Sequence, residues 1–224
     1  MALILNLETT TTNCSVSLAQ QGEVISYREV NDPNYSHAEN LHVFIQEVVK
    51  EASVSTEDIR AIAVSKGPGS YTGLRIGVSA AKGLCFSLDV PLIAVDTLQA
   101  LAMRVEAQEG YIIPMLDARR MEVYSAVFDV AYQPKREVRA QVIDEDAFST
   151  FTAQGKVLLL GPGAEKCRGV IDHPNVSFQE EVLFPSALEM AKLSYDKYRI
   201  GDTVDVAYFE PFYLKDFIVT KKSS

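Results

Sequence analysis

Ser65-Lys66-Gly67-Pro68-Gly69-Ser70-Tyr71-Thr72-Gly73-Leu74-Arg75-Ile76-Gly77 is the stretch on which the reading of this fold turns. It follows an apolar run, Ile59 to Val64, that reads as a buried strand, and it leads into Leu74 to Leu88, a helix rich in small residues. Three glycines and a proline between them let the backbone turn tightly and expose its N–H groups. A loop that opens a helix can offer those groups to an anion or a partner, or can simply be a strand-to-helix turn. Common nucleotide motifs do not account for it. Gly69 and Gly73 have the first spacing of a P-loop, but Leu74 and Arg75 stand where Lys and Ser/Thr are needed. The dinucleotide pattern fails because Thr72 replaces its third glycine.

Outward from this loop, the chain repeats one theme twice. Leu3 to Leu7 reads as a strand, Glu8 to Asn13 as a polar turn and Cys14 to Leu18 as an alternating strand, with Gln20-Gln21-Gly22 turning into Glu23 to Glu29. Tyr111 to Leu116, Asp117 to Arg120, Met121 to Asp129 and Glu137 to Ile143 follow the same order. Each half then reaches a buried strand and a glycine-marked loop, Gly67-Pro68-Gly69 in the first and Gly161-Pro162-Gly163 in the second. The order predicts a duplicated, two-lobed α/β architecture of the actin-like, sugar-kinase and Hsp70 type. The mixed sheets are flanked by helices, with a cleft between halves 1–104 and 105–224.

Three helices stand out. Ser36 to Ala52 carries an S-x-x-E capping box at Ser36 and Glu39, and an apolar face of Leu41, Phe44, Ile45, Val48, Val49 and Ala52. That face is expected on its own sheet, leaving the edge with His37 and His42 free. In the second helix, Gly73, Gly77, Ala80 or Ala81, and Leu84 form a small-residue stripe, with Gly83 beside it. Each interior glycine costs roughly 1 kcal/mol against alanine, so the stripe implies close packing on the internal sheet or on another subunit. A third helix is expected from Pro185 through Leu188, Ala191, Tyr195 and Tyr198 to Gly201.

Composition narrows the function. The 224 residues carry a net charge of −9 and 47% hydrophobic residues, enough for a proper core. Lys and Arg dominate nucleic-acid affinity, and no basic stripe is present, so direct RNA binding is disfavoured. The first residues read as a strand and not as a signal peptide. No apolar segment approaches the roughly 20 residues of a membrane span, and the odd, scattered Cys14, Cys85 and Cys167 fit a reducing cytoplasm. His37 and His42 are about 140° apart on a helix, unsuited to one metal. Ser70 lacks a nucleophile setting. Glu8 follows the first strand and Asp117 occupies the corresponding place in the second half, where carboxylates could hold magnesium, with Thr9 to Thr12 as hydroxyl donors. Turn chemistry explains the same residues.

Ile4 to Thr9 with Cys14 to Leu18, the run Lys66 to Gly77, Asp117-Ala118-Arg119-Arg120 with Glu122-Val123-Tyr124, and Glu210 to Lys215 together resemble the TsaB (YeaZ) family. The run Lys66 to Gly77 matches that family's G-P-G-S-[FY]-T-G-[LV]-R-I-G signature, and the likeness is strongest over the first 125 residues or so. The resemblance implies a cytoplasmic bacterial protein of the actin-like fold, required for threonylcarbamoyl-adenosine next to the tRNA anticodon. It implies an inactive paralogue of the metal-bearing transferase TsaD, which pairs with TsaD through its first two helices while the ATPase TsaE joins. The resemblance also implies homodimers when TsaD is absent, and contact with tRNA only through the complex. The implied partner face is His37, Leu41, Phe44, Ile45, Thr72, Gly73, Ile76, Gly77, Ala80 and Leu84. A nucleotide or anion loop would use Glu8, Thr9, Gly67, Gly69, Asp117 and Arg119. No cofactor is expected to be tightly bound, and a nucleotide is admitted only in the complex. Many relatives have Asp at the position of Glu8, which weakens the nucleotide reading. The alternative is a cleft ATPase or a metalloprotease-like hydrolase.

Overall fold

The structure, a computed structural model, describes residues 2–33 and 36–215. Its first sheet is built from β1 (Leu3–Glu8), β2 (Asn13–Gln20), β3 (Glu23–Asn31), β4 (Ala61–Gly67) and β5 (Leu92–Asp96) in the order β3-β2-β1-β4-β5. The second comprises β6 (Tyr111–Asp117), β7 (Glu122–Asp129), β8 (Pro134–Val142), β9 (Val157–Leu160) and β10 (Val176–Phe178) in the order β10-β9-β6-β7-β8. Read from the opposite edge the two orders are identical. In each sheet the first three strands form an antiparallel meander, and the fourth and fifth run parallel to the first. The duplicated actin-like architecture expected from the repeated theme is the observed one. The two short parallel edge strands, β5 and β10, carry too little pattern to be singled out in sequence.

Alternation in β1 sets the layers of the first lobe. Leu5 and Leu7 face one side, where α1 (His37–Glu51) and α2 (Tyr71–Leu88) pack, while Ile4 faces the other. There α3 (Thr97–Ala102) and, after the short α4 (Ser149–Thr152), α5 (Ala187–Arg199) close the core. The α3 helix serves both sheets. Its Ala100 packs with Ile4 and Ile93, and its Leu98 and Leu101 pack with Ile112, Leu116 and Leu160 of the second lobe.

Several boundaries differ from expectation. The capping box does not form: Ser36 is not extended (φ −74°, ψ 25°), so its Oγ cannot swing over the helix N–H groups and accepts from Asn40 Nδ2 instead. The third helix starts after Ser186, whose Oγ accepts from Leu188 N, leaving Pro185 outside. More important, α5 lies on the first sheet, so packing does not divide the chain into 1–104 and 105–224. Polar groups on that sheet call it back. Ser17 Oγ donates to Ala187 O at 2.6 Å, Ser15 Oγ accepts from Ala187 N at 2.9 Å, and Ser194 Oγ donates to Asn6 Oδ1 at 2.6 Å. Buried hydroxyls and amides need such partners.

Candidate functional site

A cavity of about 820 Å³ opens between the lobes. Its walls are the β1–β2 turn (Thr10 to Thr12), the β4–α2 loop (Pro68 to Thr72) and the β6–β7 turn (Asp117 to Arg120), with Phe212 to Lys215 across it. The two carboxylates expected to act together are in opposite surroundings. Glu8 is fully buried; its Oε1 accepts from Thr10 N and Oγ1, both at 2.6 Å, and its Oε2 accepts from Ser65 Oγ. Burial raises its pKa, against the lowering effect of those hydrogen bonds. Asp117 is exposed, paired with Lys166 Nζ at 2.8 Å and accepting from Arg119 N at 2.6 Å.

The glycine loop likewise spends its donors internally. Ser70 N donates to Thr10 O at 2.6 Å, Gly67 N to Thr97 Oγ1 at 3.1 Å, and Gly73 N to Ser70 Oγ at 3.3 Å. Ser70 is thus the N-cap of α2. The glycines permit close approach: a Cβ on Gly69 would stand 2.5 Å from Thr10 Oγ-bearing Cβ and carbonyl oxygen, and one on Gly67 2.8 Å from Phe212 O. Of the residues expected at a nucleotide or anion loop, Gly69, Asp117 and Arg119 line the cavity. Glu8, Thr9 and Gly67 lie behind its walls.

The second candidate surface is the outward side of α1 and α2, and here expectation is corrected residue by residue. His37, Leu41 and Ile45 are buried against the sheet, and His37 Nε2 lies 2.6 Å from Thr11 O. With the carbonyl as acceptor, Nε2 carries the proton. Gly73 and Gly77 also face inward, because Cβ atoms there would collide with the Thr9 carbonyl and Thr9 Oγ1. Their stripe serves helix–sheet packing. Thr72 is exposed, and Phe44, Ile76, Ala80 and Leu84 are half-buried. A second row of small residues faces solvent: Thr72 of the expected face and Gly83 from beside the stripe, together with Ser79 and Ser87, which sequence reasoning missed, and with Ala80 beside it. A Cβ on Gly83 would meet nothing within 4 Å. Phe86 of the same helix is 87% exposed, and Val43 of α1 is 48% exposed. At its start a shallow groove of about 380 Å³ is lined by Tyr71, Thr72, Arg75, Ile76 and Ser79.

Among the described residues, no group of three or more His, Cys, Asp or Glu side chains is placed to hold a metal ion, and no helix is long and apolar enough to cross a membrane. His42 is exposed, and His173 Nδ1 accepts from Asn175 N at 3.1 Å.

Comparison with known proteins gives a consistent likeness. The family profile described as TsaD, tRNA N6-adenosine threonylcarbamoyltransferase, matches residues 32–210. The tRNA threonylcarbamoyladenosine biosynthesis protein TsaB of Escherichia coli (strain K12) is 28% identical over 229 residues, covering 98% of this chain and 97% of that protein. TsaB of Bacillus subtilis (strain 168) is 34% identical over 142 residues, 63% of this chain and 60% of that one. A crystal structure of a Pseudomonas aeruginosa protein with similarity to the peptidase YeaZ superposes with a TM-score of 0.84 at 27% identity, covering 96% of this chain and 100% of that one.

Proposed function

Because this chain belongs to the TsaB (YeaZ) members of the TsaD family, which act in tRNA threonylcarbamoyladenosine biosynthesis, we propose that it serves that pathway as a non-catalytic partner subunit. It pairs with a TsaD-type catalytic subunit in the cytoplasm, a TsaE-type ATPase joins the pair, and tRNA is engaged only through the assembly. In isolation the same surface supports a homodimer.

One observation carries this reading: the outward row of small residues on α2, with Gly83 open to solvent and Phe86 beside it. An exposed glycine inside an 18-residue helix costs roughly 1 kcal/mol that no contact among the described residues offsets. Close approach of another helix would offset it. The net charge of −9 supports leaving tRNA contact to the partner. The buried Glu8, screened by Thr10 and Ser65, supports the absence of phosphoryl chemistry in the cleft. Any nucleotide belongs to the assembled complex.

Reconstitution of tRNA threonylcarbamoylation with and without this chain tests the role. We expect modification by the TsaD-type subunit to depend on it, and Gly83→Trp to abolish both pairing and stimulation while the variant stays folded. Full modification in its absence would refute the proposal. So would nucleotide hydrolysis by the isolated chain that disappears in Asp117→Ala.

A further inference from the structure

The strand-to-tail segment after α5 does more than end the fold. Val204 bridges to Leu92 at the edge of the first sheet, and Lys82 Nζ of α2 donates to Ala207 O at 3.0 Å. Phe212 N then donates to Lys66 O at 2.7 Å, and Tyr213 stacks on Tyr71 of α2 with ring centroids 5.0 Å apart. Two residues on, the chain has crossed the mouth of the cleft. Lys215 Nζ donates to Glu122 Oε2 of β7, lies 3.4 Å from Ala118 O and sits over the Tyr124 ring at 5.9 Å. At the base of the cleft the lobes share α3; at its mouth this strap joins them.

We infer that Phe212 to Lys215 is a latch that holds the two lobes closed and, through Tyr213 on Tyr71, sets the shape of the start of α2. The ties differ in kind. On the first lobe a backbone hydrogen bond and a ring stack hold the strap, and the absence of a Cβ at Gly67 lets Phe212 O lie against it. On the second lobe the hold is a side-chain ion pair whose members are 38% and 26% exposed, a contact weak enough to open reversibly. Tyr71 also takes Arg75 across its ring at 5.4 Å, so the state of the latch reaches the groove that begins the outward face of α2. Loss of the latch lowers the fraction of molecules with a competent α2 start, and apparent affinity falls by that fraction. This second consequence rests on the pairing role proposed above; the first does not.

The experiment uses the full chain with spin labels at Glu23→Cys on the first lobe and Glu137→Cys on the second, both exposed, with the three native cysteines buried. The parent should give one narrow inter-lobe distance. Tyr213→Ala with Lys215→Met should broaden or lengthen it, and Lys215→Arg should not. Affinity of the double variant for the TsaD-type subunit should drop about tenfold, as expected when the competent fraction falls to about a tenth. An unchanged narrow distribution in the double variant overturns the latch, and a broadened one with undiminished affinity overturns its coupling to the start of α2. If the parent itself fails to bind the TsaD-type subunit, the pairing role falls, and the distance measurement alone still decides whether the strap holds the lobes.

Discussion

Thr9 Oγ1 donates to Gly73 O at 2.7 Å, and the Thr9 carbonyl lies where a side chain on Gly73 would begin. The first strand's turn and the first turn of α2 are thereby locked together. The signature loop exists in this form because its glycines let two backbones touch.

That contact sets two glycines of the same helix against each other. Gly73→Ala should destabilise the fold by about 1–3 kcal/mol, since backbone must move to admit the methyl group. Gly83→Ala should stabilise it by about 0.5–1 kcal/mol, because nothing opposes the new Cβ and helix propensity improves. Urea midpoints of the two variants measure this, and equal shifts of the same sign would contradict it.

Glu8 predicts an unusual pH dependence. Burial raises its pKa in the folded state, so the native protein holds this proton more readily than the unfolded chain. Its contribution to stability is therefore full below the ordinary carboxylate range and is lost as pH rises through the higher folded value. Glu8→Gln removes that dependence. Unfolding free energies from pH 4 to 8 should show the parent losing ground to the variant as pH rises; a constant difference would argue against it.

His37 acts in the opposite sense. Desolvation lowers its pKa against the raising effect of its hydrogen bond to Thr11 O. Its contribution is full above the ordinary imidazole value and declines as pH falls from there to the lower folded value. A ring titration followed by NMR should place the folded midpoint below the midpoint of the same residue in urea.

Phe86 offers a test of the outward face that spares the core. Phe86→Asp should leave the thermal midpoint within a degree or two, as expected for an exposed site. It should weaken homodimerisation and pairing with the TsaD-type subunit by tenfold or more. Sedimentation and calorimetric titration read the two, and unaltered association would remove this residue from the interface.

Arg136 presents a different balance. Its guanidinium is partly buried with no carboxylate partner among the described residues, bonded to Ser125 Oγ at 2.6 Å and lying 5.1 Å from the Phe148 ring centroid. Desolvation, with Arg139 nearby, lowers its pKa to about 10. Arg136→Met should change stability by no more than about 1 kcal/mol, because lost hydrogen bonds are offset by relief of an uncompensated charge. A loss of several kcal/mol on denaturant unfolding would show that the stack over Phe148 and Phe151 contributes far more.

By itself the sequence determined the duplicated strand-turn-strand theme, the apolar face of α1, the family and the loop that opens α2. These are local: period-two and period-3.6 patterns and glycine spacing record which backbone shape each segment takes and which side it buries. Only the tertiary structure decided which glycines of α2 point inward, that Glu8 is enclosed while Asp117 is exposed, and that α5 returns to the first sheet. Each depends on what stands opposite in space. Gly73 and Gly83 are indistinguishable by propensity until Thr9 is seen against one and open solvent against the other, and the buried hydroxyls of Ser15 and Ser17 find their partners about 170 residues away.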